Sequence, residues 1–153
     1  MGFSAHGKFC IQTHARIMRI DARGPWNLEC TSEYARELER CLHSMSAPFA
    51  ILAVSHEQAI LSPDAEHVLR LNVRERVARG CVAQATVLGD VREIVIARAR
   101  YRRIYQDEGL RFEIFTTDVP AMQWLAKCGF PEVTKLHDGL ARAEEPRQRR
   151  GRQ

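Results

Sequence analysis

The residues best equipped for chemistry in this chain are five cysteines and six histidines, and their spacing decides what they can do. Cys10, Cys30, Cys41, Cys81 and Cys128 form no Cys-x-x-Cys pair, and their number is odd. Such a set reads as reduced, mostly buried thiols of a cytoplasmic protein. Cys10 and His14 stand four apart, but in a strand or hairpin that spacing puts them at different heights, and no second pair supplies the other ligands of a zinc site. A loop and a helix start separate His56 from His67. No metal site is expected. Cys128 has only Lys127 as a neighbouring cation, too little to activate a thiol, so it reads as a packing residue.

Phosphate and acyl chemistry need particular backbone devices. The motifs G-x-G-x-x-G and G-x-x-x-x-G-K-[ST] expose backbone amides to a phosphate, and neither occurs here. The turn Leu88-Gly89-Asp90 has one glycine and an acid where a phosphate favours positive charge. The strained nucleophile turn G-x-S-x-G is missing too. The expectation is a protein without catalysis of its own and without a cofactor.

Composition sets the scale. A chain of 153 residues, 45% hydrophobic, can bury one core without disulfide or metal staples. No apolar run is long enough to cross a bilayer. The residues from Met1 to Lys8 lack the apolar core of a secretory signal, so export is not expected. The formal charge is +4, but the segment from Lys135 to Gln153 holds six basic against three acidic residues, leaving only +1 for everything before it. That segment reads as a basic, disordered tail over 135–153, following a single domain over 1–134, with no specific nucleic-acid role.

The elements that must position any site follow from periodicity. Phe9 and Ile11, then Met18, Ile20 and Ala22, alternate as a hairpin pair over 7–14 and 16–22. Gly24-Pro25-Trp26-Asn27 breaks the second strand, and Asn27 caps a helix whose buried side carries Tyr34, Leu38, Cys41, Leu42 and Met45. The continuous run Ala50-Ile51-Leu52-Ala53-Val54 reads as a strand covered on both faces. Ser62 as cap, Pro63 at the first helical position, then Asp64 and Glu66, start the next helix; Arg70, Arg74, Arg76 and Arg79 fill its later turns and Gly80 ends it. A strand over 81–88 precedes a third helix with Asp90 as cap and Glu93 three positions on. Ile94, Ala97, Tyr101, Ile104 and Tyr105 make its buried face, so Ile96 points outward, with Arg92 and Arg103 opposite the core. A strand over 110–115 and a short helix capped by Asp118 and ended by Gly129 complete an α/β order, ββαβαβαβα, in a mixed sheet with covering helices and right-handed crossovers.

Two family resemblances arise from particular residues. Trp124-Leu125-Ala126-Lys127-Cys128-Gly129-Phe130 is similar to the helix-then-Gly-Phe ending of N-acetyltransferases of the GNAT family. The pyrophosphate loop of that family, [RQ]-x-x-G-x-[GA], has its nearest counterpart in Arg76-Val77-Ala78-Arg79-Gly80-Cys81, at a helix end rather than a helix start. The broader match lies in Gly24-Pro25-Trp26-Asn27, Pro48-Phe49-Ala50, Ser62-Pro63-Asp64-Ala65, Arg92, and Phe115-Thr116-Thr117 leading to Ala121-Met122-Gln123-Trp124-Leu125. These residues, with the element order, resemble the STAS domain, and more closely its SpoIIAA-like branch of small bacterial proteins, related in fold to the Sec14 lipid-binding domains.

The SpoIIAA-like resemblance implies a non-enzymatic module acting through a protein partner or a homodimer. Its phosphorylated switch serine would fall near Ser62, where Pro63 and Asp64 replace the accompanying residues and leave capping as the role of the hydroxyl. The Sec14 side implies instead a carrier or sensor of a small apolar ligand or lipid, with a pocket between the sheet and the third helix and contact with a membrane surface. On these readings the candidate ligand- or partner-binding residues are Trp26, Asn27, Ser62, Arg92, Val95, Ile96 and Arg103.

Overall fold

The computed structural model describes residues 7–56, 63–89 and 94–141. Lys8–His14 (β1) and Ile17–Arg23 (β2) pair antiparallel through a two-residue turn, with Lys8 opposite Arg23 and His14 opposite Ile17. Leu28–Leu42 (α1) follows. Asn27 caps it, its side chain accepting the Cys30 N–H at 3.0 Å from an extended backbone. Phe49–His56 (β3), Pro63–Ala78 (α2), Cys81–Val87 (β4), Ile94–Asp107 (α3), Phe112–Phe115 (β5) and Asp118–Lys127 (α4) come next, then a 3-10 turn over Pro131–Lys135. The element order is the expected one. Ser62, Asp90, Arg92 and Glu93, assigned to caps or binding positions above, lie outside the described residues.

The five strands stand side by side in chain order, β1-β2-β3-β4-β5, and every pair after the first is parallel. Each crossover therefore advances one strand in the same direction, which places the three crossover helices on one face. On that face Tyr34, Leu38 and Leu42 of α1, Leu69 and Val73 of α2, and Ile104 and Tyr105 of α3 pack over Met18, Ile20, Phe49 and Ile51. The chain then doubles back. Ala121 and Leu125 of α4, with Phe130, Val133 and Leu136, cover Ile17, Ala50, Leu52, Val54, Ala83, Ala85 and Val87 on the other face. The central strand β3 is thus buried on both sides, as its unbroken apolar run requires.

Glycines close three of the helices. Gly80 (φ 111°) ends α2, donating its N–H to the Val77 carbonyl at 3.1 Å. Gly109 and Gly129 do the same for α3 and α4, and each is followed by an apolar residue that bonds back and buries: Leu110 to Tyr105, Phe130 to Leu125. The Gly-Phe ending that resembles GNAT enzymes is this helix terminator, and its geometry belongs to packing.

Two expectations differ from the structure. Asp118 is the first residue of α4 and Thr117 its N-cap; the Asp118 carboxylate is instead held by Arg19 from β2 at 3.1 Å, because a buried guanidinium outcompetes backbone amides for it. The packed part of the chain also continues beyond 134. Leu136 and Leu140 are buried, and residues 136–141 lie over β1 and β2. Their apolar residues are too sparse to show a period, yet they find a partly uncovered sheet edge. Residues 142–153 lie outside the described residues.

Candidate ligand-binding site

Helix α2 carries Leu69 and Val73 on its buried face, and the next position at that spacing is Arg76. Arg76 is 1% exposed, the largest fully buried side chain among the described residues. Strand β4 supplies the facing groups. With Ala83, Ala85 and Val87 turned to α4, the alternation turns Gln84 and Thr86 toward the helices.

The polar contacts form one directed chain. Arg76 donates from Nη1 to Gln84 Oε1 at 2.8 Å and from Nη2 to Tyr34 Oη at 2.9 Å. A guanidinium can only donate, so the Gln84 carbonyl must face it and the Gln84 amide must face away. That amide donates to Tyr105 Oη at 2.7 Å and to Thr86 Oγ1 at 3.3 Å. Tyr105 and Thr86 share a further bond at 3.0 Å. Ser55, at the end of β3, hydrogen-bonds with Tyr101. All three tyrosines of the chain meet here.

These groups surround a cavity of about 50 Å³ between the sheet and the three crossover helices, near the carboxyl ends of the parallel strands. An ordered water needs only ~10–15 Å³ on the same measure, so the space exceeds a single solvent site. Ile20, Ala22, Ala53 and Leu69 form its apolar wall, and Trp26 and Gly24 stand at the β2–α1 turn. Trp26 is fixed there by its indole N–H, which donates to the Arg23 carbonyl at 3.2 Å, and by contact with Tyr34 at 4.9 Å between ring centroids.

The electrostatics are one-sided. Among the described residues no carboxylate pairs with Arg76, and its Nε has no hydrogen-bond partner. Taking a guanidinium out of water costs several kcal/mol unless a counter-charge offsets it. Arg76 sits in the last turn of α2, where the helix carbonyls supply only partial negative charge, worth up to ~2 kcal/mol. Burial pushes the Tyr101 hydroxyl up to about 12, the Ser55 bond acting the other way. Burial also raises Tyr105, with Tyr101 adding to the effect. Both stay neutral at physiological pH, so neither phenol serves Arg76 as a counter-ion.

A second polar cluster lies on the opposite face of the sheet. Arg19 and Asp21, both buried, make a two-point ion pair at 3.0 and 3.1 Å. Asp21 Oδ2 also accepts the Gly139 N–H at 3.2 Å, and His56 Nε2 stands 3.7 Å from Asp21 Oδ1 and 4.0 Å from Asp138 Oδ2. Burial alone would raise the Asp21 carboxyl, but the neighbouring His56, the Arg19 hydrogen bonds and charge and the Gly139 N–H outweigh it and hold it below its usual range. Asp21, His56 and Asp138 could converge on a metal ion. A cation there would face the fixed Arg19 guanidinium and an oxygen already occupied, so the cluster reads as a clasp that fastens residues 136–141 to β2.

Of the residues singled out from the sequence, Trp26 lines the cavity and Asn27 serves as the α1 cap beside it. Val95, Ile96 and Arg103 are exposed on the outer side of α3, away from the cavity. Ser62 and Arg92 lie outside the described residues. Arg76, Gln84, Thr86 and the three tyrosines were missed as a site. The signal was present in the spacing Leu69, Val73, Arg76, which sets a charge on an apolar face, and in the polar alternation of Gln84 and Thr86 within the strand expected over 81–88. Compared with known proteins, the chain matches no family model and no curated sequence.

Proposed function

We propose that this chain is a non-enzymatic binding module of the STAS or SpoIIAA-like type, working in the cytoplasm as a carrier or sensor that holds a small molecule between its sheet and helices. The observation that carries this reading is the cavity of about 50 Å³ walled by Trp26, the three tyrosines and apolar sheet residues. An aromatic and apolar wall with a few converging polar groups is the usual make-up of a small-ligand site. The described lining contains no carboxylate, histidine or cysteine, and phenols as weakly acidic as Tyr101 make poor general bases at neutral pH. Binding rather than proton transfer is what such a wall supports. The STAS part of the proposal rests on the element order and on the Gly24-Pro25-Trp26-Asn27 turn.

Native mass spectrometry of the protein from its own cells tests this reading. A retained small mass, lost on denaturation, is the expected result. A bare protein whose tryptophan fluorescence ignores a panel of small organic compounds would overturn it.

A second reading, docking of a protein partner, a second copy or a membrane surface, draws on Val95 and Ile96, which are 79% and 56% exposed at the start of α3. Replacement of Ile96 by Asp should abolish such an association if α3 mediates it, and retained association in that variant would exclude this face.

A further inference from the structure

The donors and acceptors of the cavity wall do not balance. Of the five N–H groups of a guanidinium, Arg76 uses one on Gln84 and one on Tyr34, which leaves three, including the unpartnered Nε–H. Tyr34 accepts from Arg76, so its own O–H remains to donate. Both N–H groups of Gln84 are spent on Tyr105 and Thr86, and its carbonyl is spent on Arg76. What the described residues of the wall offer a guest is therefore a fork of N–H donors with a phenol O–H beside it, and one uncompensated positive charge.

We propose that the ligand is a small monocarboxylic acid whose carboxylate seats on Arg76 and the Tyr34 hydroxyl, with its apolar body against Trp26, Ile20, Ala22 and Leu69. This deepens the binding reading above and rests on it. A carboxylate is the planar, two-oxygen acceptor that matches a guanidinium edge. Its single charge equals the single charge of the described lining, since Arg76 is the only ionic residue among the described residues around the cavity. A phosphate dianion would leave an unmatched negative charge in the same enclosed space, where low polarity makes any surplus charge costly. The apolar wall and a volume of about 50 Å³ set the other half of the requirement: a short aliphatic body, rather than a hydroxylated one.

The test compares acids with their neutral amides on the full chain. Acetate against acetamide, and propionate against propionamide, are titrated near neutral pH by calorimetry and by tryptophan fluorescence. Hydrogen bonds to a charged partner imply that each acid binds about 10- to 100-fold tighter than its amide. Arg76→Met should erase that preference, and Arg76→Lys, which keeps the charge but loses the fork, should retain part of it. Equal binding of acid and amide by the unaltered protein would overturn the carboxylate assignment and leave the cavity standing as a ligand site. Binding of neither pair in the millimolar range would overturn the assignment together with the binding reading. Because the acid-to-amide comparison is made first on the unaltered chain, the result stands even if Arg76→Met folds poorly.

Discussion

Replacing Asp21 by Asn keeps the shape of the side chain and removes the charge that Arg19 was buried to meet. Among the described residues, Arg19, 2% exposed, would retain only Asp118, whose side chain is 42% exposed and correspondingly well screened. The new amide would also present donors toward Arg19 or the Gly139 N–H, both of which already donate to Asp21. Breaking one side of a buried pair costs about 3–5 kcal/mol, and with Asp118 still in reach the lower end, about 3 kcal/mol, is expected. For a chain of this size each kcal/mol moves the midpoint by ~2–4 °C, so the loss in Tm is about 6–12 °C. Urea denaturation measures the energy, and hydrogen exchange locates it: protection should fall first at residues 136–141. The double variant Arg19→Met with Asp21→Leu should recover most of the stability, because an apolar pair can replace a buried ionic one at little cost. It should not restore protection of the Gly139 amide, which has lost its acceptor. A loss below about 1 kcal/mol for Asp21→Asn, or unchanged exchange over 136–141, would refute the clasp.

The other expectations are more local. The Asp21 carboxyl is held below its ordinary value of 3.8, so its contribution is complete above that pH and is lost as the pH falls through the lower folded value; the stability gap between the native chain and Asp21→Asn should therefore narrow in acid titrations below 3.8. Ile96→Asp, on an exposed position, should change stability by no more than about 0.5 kcal/mol, and a larger loss would show that α3 is rotated from its described phase. Gly80→Ala should cost about 1–2 kcal/mol in urea, since φ 111° disfavours any Cβ and this one would run into Ala47. Burial pushes Cys81 up to about 11, and Cys30 to about 11 with the Glu33 charge adding to burial; both should resist a thiol reagent in the native protein and react in urea, and rapid native labelling of either would contradict their burial.

The local signals carried well where one residue type decides one conformation. Asn27 capped α1, Pro63 opened α2, glycines closed three helices, and the phase of α3 put Ala97 and Ile104 inside with Ile96 outside. The sites were less legible because they depend on residues far apart in the chain. Arg19 and Asp21 sit on the alternate positions of β2, where polar residues ordinarily meet solvent. Their partners come from far along the chain, Asp118 for Arg19 and Gly139 for Asp21. In the sequence Arg76 stands in one series with Arg70, Arg74 and Arg79 in the later turns of α2, yet Arg70 and Arg74 pair with Asp107 and Glu108 at the surface while Arg76 turns inward. What separates Arg76 from Arg74 is about half a helical turn of phase, and only the position of Gln84 on a neighbouring strand gives that phase its meaning.

The strand order also bears on how the chain is made. Each parallel strand pairs with the one synthesised just before it, so the helical face can assemble step by step as the polypeptide emerges. The opposite face cannot. Arg19 and Asp21 wait for Asp118 and Gly139, and Gln12 waits for the His137 carbonyl, its partner at 2.6 Å. Until the last part of the described chain is released, the nascent domain shows an uncovered apolar sheet surface that includes Ile17, Leu52 and Val54, the kind of surface that draws chaperones or other nascent chains. A ribosome stalled before residue 136 would hold a half-covered sheet, and residues 136–141 complete a layer begun with the first two strands.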